Sequence, residues 1–291
     1  MLEKTFTTTK PRLGYLSYRA ETENGPLPTL IVLHGLFGMA DNWNSIAQGL
    51  IDKCTSQGRG IRIIAVDLPG HGASDGLEDY SYESLARVVY QGLEEFLQEP
   101  VYLMGHSLGG KVAMTLADRG RFPSFHQLRG LVVVDIAPVE YPDQHSDLFS
   151  ALHGLDLSLC RSRGEAQASL KAGIPSSEVR SFLVKNLEFD PATGPRWLVD
   201  LEGLRRAYSG LRAWPGTVKG FPGQALWIAG SLSEYMQDRE IVERSIFSFA
   251  PEAKIEYIKG AGHWVHAEKR DGFIDHLNAF LQATEQEHLD L

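Results

Sequence analysis

Four short runs of nearly unbroken apolar residues limit what this chain can fold into: Thr29–Leu33, Ile61–Val66, Val101–Met104 and Leu131–Val134. Continuous apolar character, without polar alternation, marks a strand buried on both faces, the habit of parallel sheets. Helical periodicity fills the gaps: Trp43, Ile46, Ala47 and Leu50 share one face, and Leu85, Val88, Val89, Leu93, Phe96 and Leu97 another. The alternation resumes late in the chain with Ala225–Ala229, a helix near Arg239–Phe249, the strand Lys254–Ile258 and a last helix carrying Phe273, Ile274, Leu277 and Phe280. Strands alternating with helices predict an α/β architecture, a mostly parallel central sheet flanked by helices. At the start, Leu13, Tyr15, Leu16 and Tyr18 alternate weakly before Asn24-Gly25-Pro26, which predicts an antiparallel hairpin at a sheet edge.

Between about Val139 and Phe221 the strand-like runs stop. Short amphipathic segments replace them, broken by Gly154, Gly164, Pro175, Pro191, Gly194 and Pro195. Val179, Phe182, Leu183 and Leu187 fall on one helical face, and Trp197, Leu201, Leu204 and Tyr208 on another. The expected organisation is therefore a core made of residues 1–138 and 222–291 with a helical cap, residues 139–221, inserted into it.

The third apolar run ends in Gly105-His-Ser107-Leu-Gly109, and a helix-forming stretch follows at once. Gly-x-Ser-x-Gly between a strand and a helix reads as a nucleophile elbow, a turn so tight that the serine takes a strained conformation. Side chains at Gly105 or Gly109 would collide with the neighbouring strand or helix. The turn lifts the Ser107 hydroxyl clear of the sheet, and the helix N-terminus behind it offers free N–H groups to an anion. Such a serine needs a base and an acid to orient that base. His263, in the glycine loop Gly260-Ala-Gly-His-Trp264, is the candidate base, with His266 its nearby rival, expected instead to pack or to cap the final helix. His34, His71 and His106 each adjoin a glycine turn and are expected to hold loops through hydrogen bonds. A histidine base predicts activity rising with pH through roughly 6–7.5.

Composition removes other classes. The chain has 291 residues, 43% hydrophobic and 22% charged, with a formal net charge of −9 and no basic stripe, so nucleic acid is not an expected partner. No apolar run approaches the roughly 18 residues of a membrane span, and no signal-peptide core opens the sequence. Cys54 and Cys160 stand far apart in no metal-like spacing, which suits reduced structural thiols in a cytoplasmic protein.

His34-Gly-Leu-Phe-Gly38, Asp67-Leu-Pro-Gly-His-Gly-x-Ser74, Gly105-His-Ser-Leu-Gly-Gly-Lys111, Val134-Asp-Ile-Ala-Pro138 and Gly260-Ala-Gly-His-Trp-Val-His266 occur in that order. In these motifs, from about Thr29 to the last helix, the chain resembles the α/β-hydrolases, most closely the YbfF-type bacterial esterases and the abhydrolase-domain-11 proteins. The resemblance implies the α/β-hydrolase fold with an inserted helical cap, and the order Ser, acid, His along the chain. The common superfamily pattern has an aspartate after the penultimate strand. Here that stretch reads Gly230-Ser-Leu-Ser233-Glu-Tyr, and a serine cannot supply the charge that stabilises an imidazolium. The similar subgroup also lacks an acid there and uses the one in Asp-Ile-Ala-Pro. Asp135, at the carboxyl edge of its strand, is therefore the expected acid, with Glu202, Glu234 and Asp238 as outsiders.

The same geometry implies an oxyanion hole from the backbone N–H groups of Leu36 and Leu108, each donor worth about 3–4 kcal/mol in a closed site. Phe37, Trp197, Tyr208 and Trp264 are candidate substrate-binding residues; for Phe37, and for the face with Trp197 and Tyr208, core packing is an equal explanation. Lys111 lies too far along its helix to act as base and is expected in a surface ion pair. The expectation is a Ser-His-Asp hydrolase of small-molecule carboxylic esters or acyl thioesters, acting through an acyl-enzyme without metal or organic cofactor. Alternatives are a carbon–carbon bond hydrolase with the same triad and a non-catalytic binding protein of the same fold. Epoxide hydrolases and haloalkane dehalogenases would want aspartate where Ser107 stands.

Overall fold

The computed structural model describes residues 3–8, 10–20, 27–97, 99–118, 120–122 and 127–289. Its strands are β1 (Glu3–Phe6), β2 (Gly14–Ala20), β3 (Thr29–Leu33), β4 (Ile61–Val66), β5 (Val101–His106), β6 (Leu128–Val134), β7 (Leu187–Asp190), β8 (Gly194–Trp197), β9 (Gln224–Gly230) and β10 (Lys254–Ile258). The helices are α1 (Asn44–Ser56), α2 (Tyr82–Gly92), α3 (Leu108–Leu116), α4 (Ser146–His153), α5 (Arg163–Ser169), α6 (Ser177–Leu183), α7 (Leu201–Arg212), α8 (Arg239–Phe249), α9 (Val265–Glu268) and α10 (Arg270–Leu289).

Eight strands form one sheet in the order β1-β2-β4-β3-β5-β6-β9-β10, parallel throughout except where β2 meets β1 and β4. The apolar runs sit in its middle because both of their faces are covered. Ile31, Leu33, Leu103 and Val133 point into one core together with α2, α3 and α8; Leu30, Val32, Met104 and Val132 point into the other, against α1 and α10. The chain steps from β3 outward to β4 and then returns to the far side of β3 as β5. That reversal opens a crevice at the carboxyl ends of β3 and β5, where open α/β sheets place ligands. Leu33 pairs with Gly105, so the His34 loop and the Ser107 turn leave the sheet side by side.

An antiparallel pair does stand at the sheet edge, but it is β1 with β2. The expected turn at Asn24-Gly25-Pro26 lies outside the described residues, and the strands flanking it, β2 and β3, are separated by β4. Between β6 and β9 the chain forms α4 to α7, short 3-10 turns and a separate two-stranded sheet, β7 with β8. That hairpin corrects the helical reading at two points. Leu187 begins β7 and Trp197 ends β8, paired with each other, while α7 starts only at Leu201, where Asp200 caps it by accepting from Gly203 N–H. Asp190 bonds the N–H groups of Ala192 and Thr193, and Gly194 takes φ 81°, so turn chemistry overrides the apolar spacing.

Lys111 is the second correction. It is only 2% exposed, and its Nζ donates to three carbonyls, those of Val139, Arg212 and Ala213, each at 2.8 Å. No surface ion pair forms. The ammonium instead ties the start and the end of the segment between β6 and β9 to α3, above the ring of Tyr141 at 4.9 Å. Lys111→Met keeps the length and leaves three buried carbonyls without a donor. It is expected to cost about 3 kcal/mol, read as a melting temperature roughly 6–12 °C lower; an unchanged melt would rule out the clamp.

Candidate active site

Ser107 connects β5 to α3 with φ 53° and ψ −119°. The turn is possible because Gly105 and Gly109 leave no side chain: a Cβ on Gly105 would overlap the Gly109 carbonyl, and one on Gly109 the Leu33 carbonyl. The Ser107 N–H donates to Val134 O at 3.1 Å, and Ser107 O accepts from Gly110 and Lys111 N–H. Leu108 opens α3, and a first helical residue has no carbonyl a turn back to bond.

The loop after β3 lies against this turn; a Cβ on Gly35 would stand 3.2 Å from Ser107 Cβ. Gly38 N–H closes a β-turn onto Gly35 O at 2.9 Å, with Leu36 and Phe37 at its centre and Phe37 at φ 61°. Two buried histidines brace it. His34 Nδ1 donates to Gly35 O at 2.8 Å while its Nε2 accepts from Leu68 N–H at 2.9 Å. His71 Nδ1 donates to Pro69 O and its Nε2 accepts from Phe37 N–H at 3.2 Å. Burial lowers His34 to about 4 and His71 to about 3, so both hold the neutral form these bonds require. His106 Nε2 donates to His263 O at 2.9 Å, which fixes the opposite loop.

Asp135 follows β6, fully buried and with φ 53°. One carboxylate oxygen accepts from Gly230 N–H at 2.7 Å; the other accepts from Ser233 Oγ and lies 2.7 Å from His263 Nδ1. Ser233 thus stands where the common pattern has an aspartate and donates to the Asp135 carboxylate. Tyr235 lies flat on the His263 ring, centroids 4.1 Å apart. Burial pushes the Asp135 carboxyl up, opposed by the bonds from Ser233 and Gly230, and pushes the His263 imidazole down, opposed by the Glu268 charge. A neutral imidazole facing a carboxylate acceptor carries its proton on Nδ1, leaving the Nε2 lone pair free. Ser107 and His263 line one cavity of about 460 Å³. Their Oγ and Nε2 are not hydrogen-bonded to each other; contacts of this kind commonly tighten only as substrate binds.

Phe37 and Trp264 line the same cavity, with Leu36, His145, Phe182 and Leu183. Tyr208 lines a second, smaller chamber of about 50 Å³ on Ser107, with Leu36, Leu108, Ile136 and Leu211. Trp197 is not brought to either cavity, because the β7–β8 hairpin carries it away. Leu201 and Leu204 of its expected face are buried in the core. His266 stacks on Trp43, centroids 4.4 Å apart, in the wall of the large cavity. Of the outsiders, Glu202 pairs with Arg205 on the surface, Glu234 lines the large cavity, and Asp238 caps α8. Sequence reasoning missed Tyr235, Gln144, His145 and Asn186. A tyrosine two residues beyond the missing acid was the one local signal; the others reach the site only through packing.

Among known proteins, the model of the alpha/beta hydrolase family matches residues 30–276. The chain belongs to the alpha/beta hydrolase family. It is 32% identical to the sn-1-specific diacylglycerol lipase ABHD11 of Mus musculus, over 91% of this chain and 85% of that protein. It is 28% identical to the esterase YbfF of Escherichia coli, over 91% of this chain and 98% of that protein. A solved marine microorganism esterase superposes with TM-score 0.78 at 31% identity, covering 91% of this chain and 98% of its own. No helix among the described residues of this hydrolase is long and apolar enough to cross a membrane.

The histidine shift sets a pH expectation. If His263 serves Ser107 as base it must be neutral to do so, and Ser107 reactivity is then expected to rise with pH through the folded-state pKa of His263 and level. Because burial lowers that pKa, the rise is expected on the acid side of 6.5, lower than an unperturbed histidine would give. Asp135→Asn removes the charge that favours imidazolium and should move the rise lower still. The rate of fluorophosphonate uptake against pH measures both; a rise above pH 7 would contradict the burial argument.

Proposed function

We propose that the chain is a carboxylesterase-type serine hydrolase in which Ser107, His263 and Asp135 form the triad, with the Leu36 and Leu108 N–H groups as oxyanion donors. The observation that carries this is the 2.7 Å contact between Asp135 and His263 Nδ1, in a cavity that also holds Ser107 at a helix N-terminus. The relatives named as esterases and a lipase support ester hydrolysis.

His263 Nε2 takes the Ser107 proton as Oγ attacks the carbonyl carbon. The oxygen turned anionic sits against the two N–H groups. As the tetrahedral intermediate collapses, the bond to the leaving oxygen or sulfur breaks and the imidazolium protonates it. Water, deprotonated by His263, then releases the acid and restores Ser107. The leaving group must lie within reach of Nε2, so it occupies the large cavity lined by His263. The acyl group occupies the 50 Å³ chamber at Leu108, from which His263 is absent. At roughly 10–15 Å³ for each water-sized group, that chamber holds a short acyl chain. Residues 139–221 form the cap that supplies Leu183, Phe182 and Tyr208 to these walls. Free, buried Cys54 and Cys160 support a reducing, cytoplasmic setting. A non-catalytic binding protein would have no reason to keep the acid–base contact, and a carbon–carbon bond substrate is separated from an ester by assay.

Fluorophosphonate is expected to label the Ser107 peptide alone, and Ser107→Ala to lower turnover by roughly 10⁵–10⁶ with an unchanged melt. Stoichiometric labelling of that variant would overturn the assignment. Asp135→Asn should cost up to about 10⁴, with Glu234→Gln and Asp238→Asn near neutral. Across p-nitrophenyl esters, kcat/KM should be greatest for acetyl to butyryl and fall for octanoyl and longer; the reverse order would place the acyl chain in the large cavity.

A further inference from the structure

Asn186 is contributed by the 3-10 turn Val184–Asn186, between α6 and β7, and is 1% exposed. Its Nδ2 donates to Phe37 O at 2.7 Å across 149 residues of sequence, and to Leu183 O at 3.3 Å. Both neighbours on that side are carbonyls, which settles the orientation of the amide. Its Oδ1 is buried without a partner, a cost that a residue serving only to fill space would not carry.

The bond lands where the backbone is least comfortable. In the turn Gly35–Gly38, Phe37 holds the third position with φ 61°, a place where turns of this kind take glycine or asparagine. A bulky residue persists there only when its surroundings over-determine it. His71 Nε2 accepts the Phe37 N–H, and Asn186 holds the Phe37 C=O, so the peptide planes on both sides of Phe37 are fixed. The grip comes from one stretch of chain. Leu198 N–H donates to Asn186 O at 2.7 Å, Val199 bridges to His71, and Asp200 N–H donates to Gly70 O. Arg163 bonds the carbonyls of Val184 and Leu187 on either side of Asn186.

We propose that Asn186 is a positioning residue: through Phe37 it holds the turn that presents the Leu36 N–H to the oxyanion, so seating of residues 184–200 assembles the oxyanion hole. This rests on the hydrolase reading above. Without the bond, the turn relaxes toward an ordinary φ at Phe37, and the Leu36 N–H leaves the place where charge develops. Binding of the neutral ester, which does not need that donor, changes little.

The test uses Asn186→Leu, which keeps the branched skeleton and removes the donor, and Asn186→Ser, which is too short to reach Phe37. Each is assayed with p-nitrophenyl butyrate and with an alkyl trifluoromethyl ketone, whose hemiketal oxyanion on Ser107 mimics the intermediate. The expected result is a kcat lower by about 10–100-fold, KM within about threefold, and ketone affinity lost by the same factor as kcat. Folded variants that keep kcat and ketone affinity within about twofold, or that change KM alone, overturn the proposal. Loss of the native melt in both variants also overturns it, since Asn186 would then hold the fold. A wild-type protein that neither hydrolyses the ester nor takes up fluorophosphonate sinks the hydrolase reading instead.

Discussion

A carboxylate sealed from solvent has to be satisfied inside the protein, and Asp135 organises the site by that need. Its oxygens draw in the Gly230 N–H from the end of β9, the Ser233 hydroxyl beyond it, and His263 from the loop after β10. Its own N–H reaches back to Ile228. Three successive strands of the sheet are thereby pinned at their carboxyl ends. Removing one partner leaves a buried charge short of a bond, far costlier than the bond itself is worth. The arrangement also explains the serine at 233: an aspartate there would face Asp135 as a like charge, whereas a hydroxyl donates to it.

Backbone strain is concentrated in the same place. Among the described residues, the non-glycine positions with positive φ are Phe37, Ser107 and Asp135. Each aims a group that an ordinary conformation would turn away: a turn N–H, a hydroxyl and a carboxylate. Each is held by hydrogen bonds from elements distant in sequence. Strain of this kind, of order 1–3 kcal/mol per residue, is tolerated because the parallel sheet and two apolar cores supply a rigid frame around it.

The segment between β6 and β9 is joined to that frame by directional bonds as well as by apolar packing. Lys111 binds its two ends, and residues 186–200 grip the loops carrying Phe37 and His71. Pocket walls and the turn at Leu36 and Phe37 are thus held by the same contacts. This accounts for a large cavity and a small chamber meeting at Ser107 under one cover.

Much of this was legible in the residues. Unbroken apolar runs placed β3 and β4 at their observed ends, and two glycines around Ser107 dictated the turn, because these features are settled within a few neighbouring residues. The serine absent of its expected acid at 233 pointed to Asp135 by resemblance. What periodicity could not supply was the partner of a side chain a hundred residues away. Lys111 read as a surface charge because its three carbonyls come from elsewhere in the chain. Trp197 read as helical because the spacing of four apolar residues outweighed the Asp190–Gly194 turn. Asn186 gave no signal, since an isolated asparagine acquires a role only when packing brings the Phe37 carbonyl to it. Local pattern determined the strands, the tight turn at Ser107 and the glycine loop at His263; tertiary structure decided which buried polar groups meet, because only in the assembled fold must each of them find a partner.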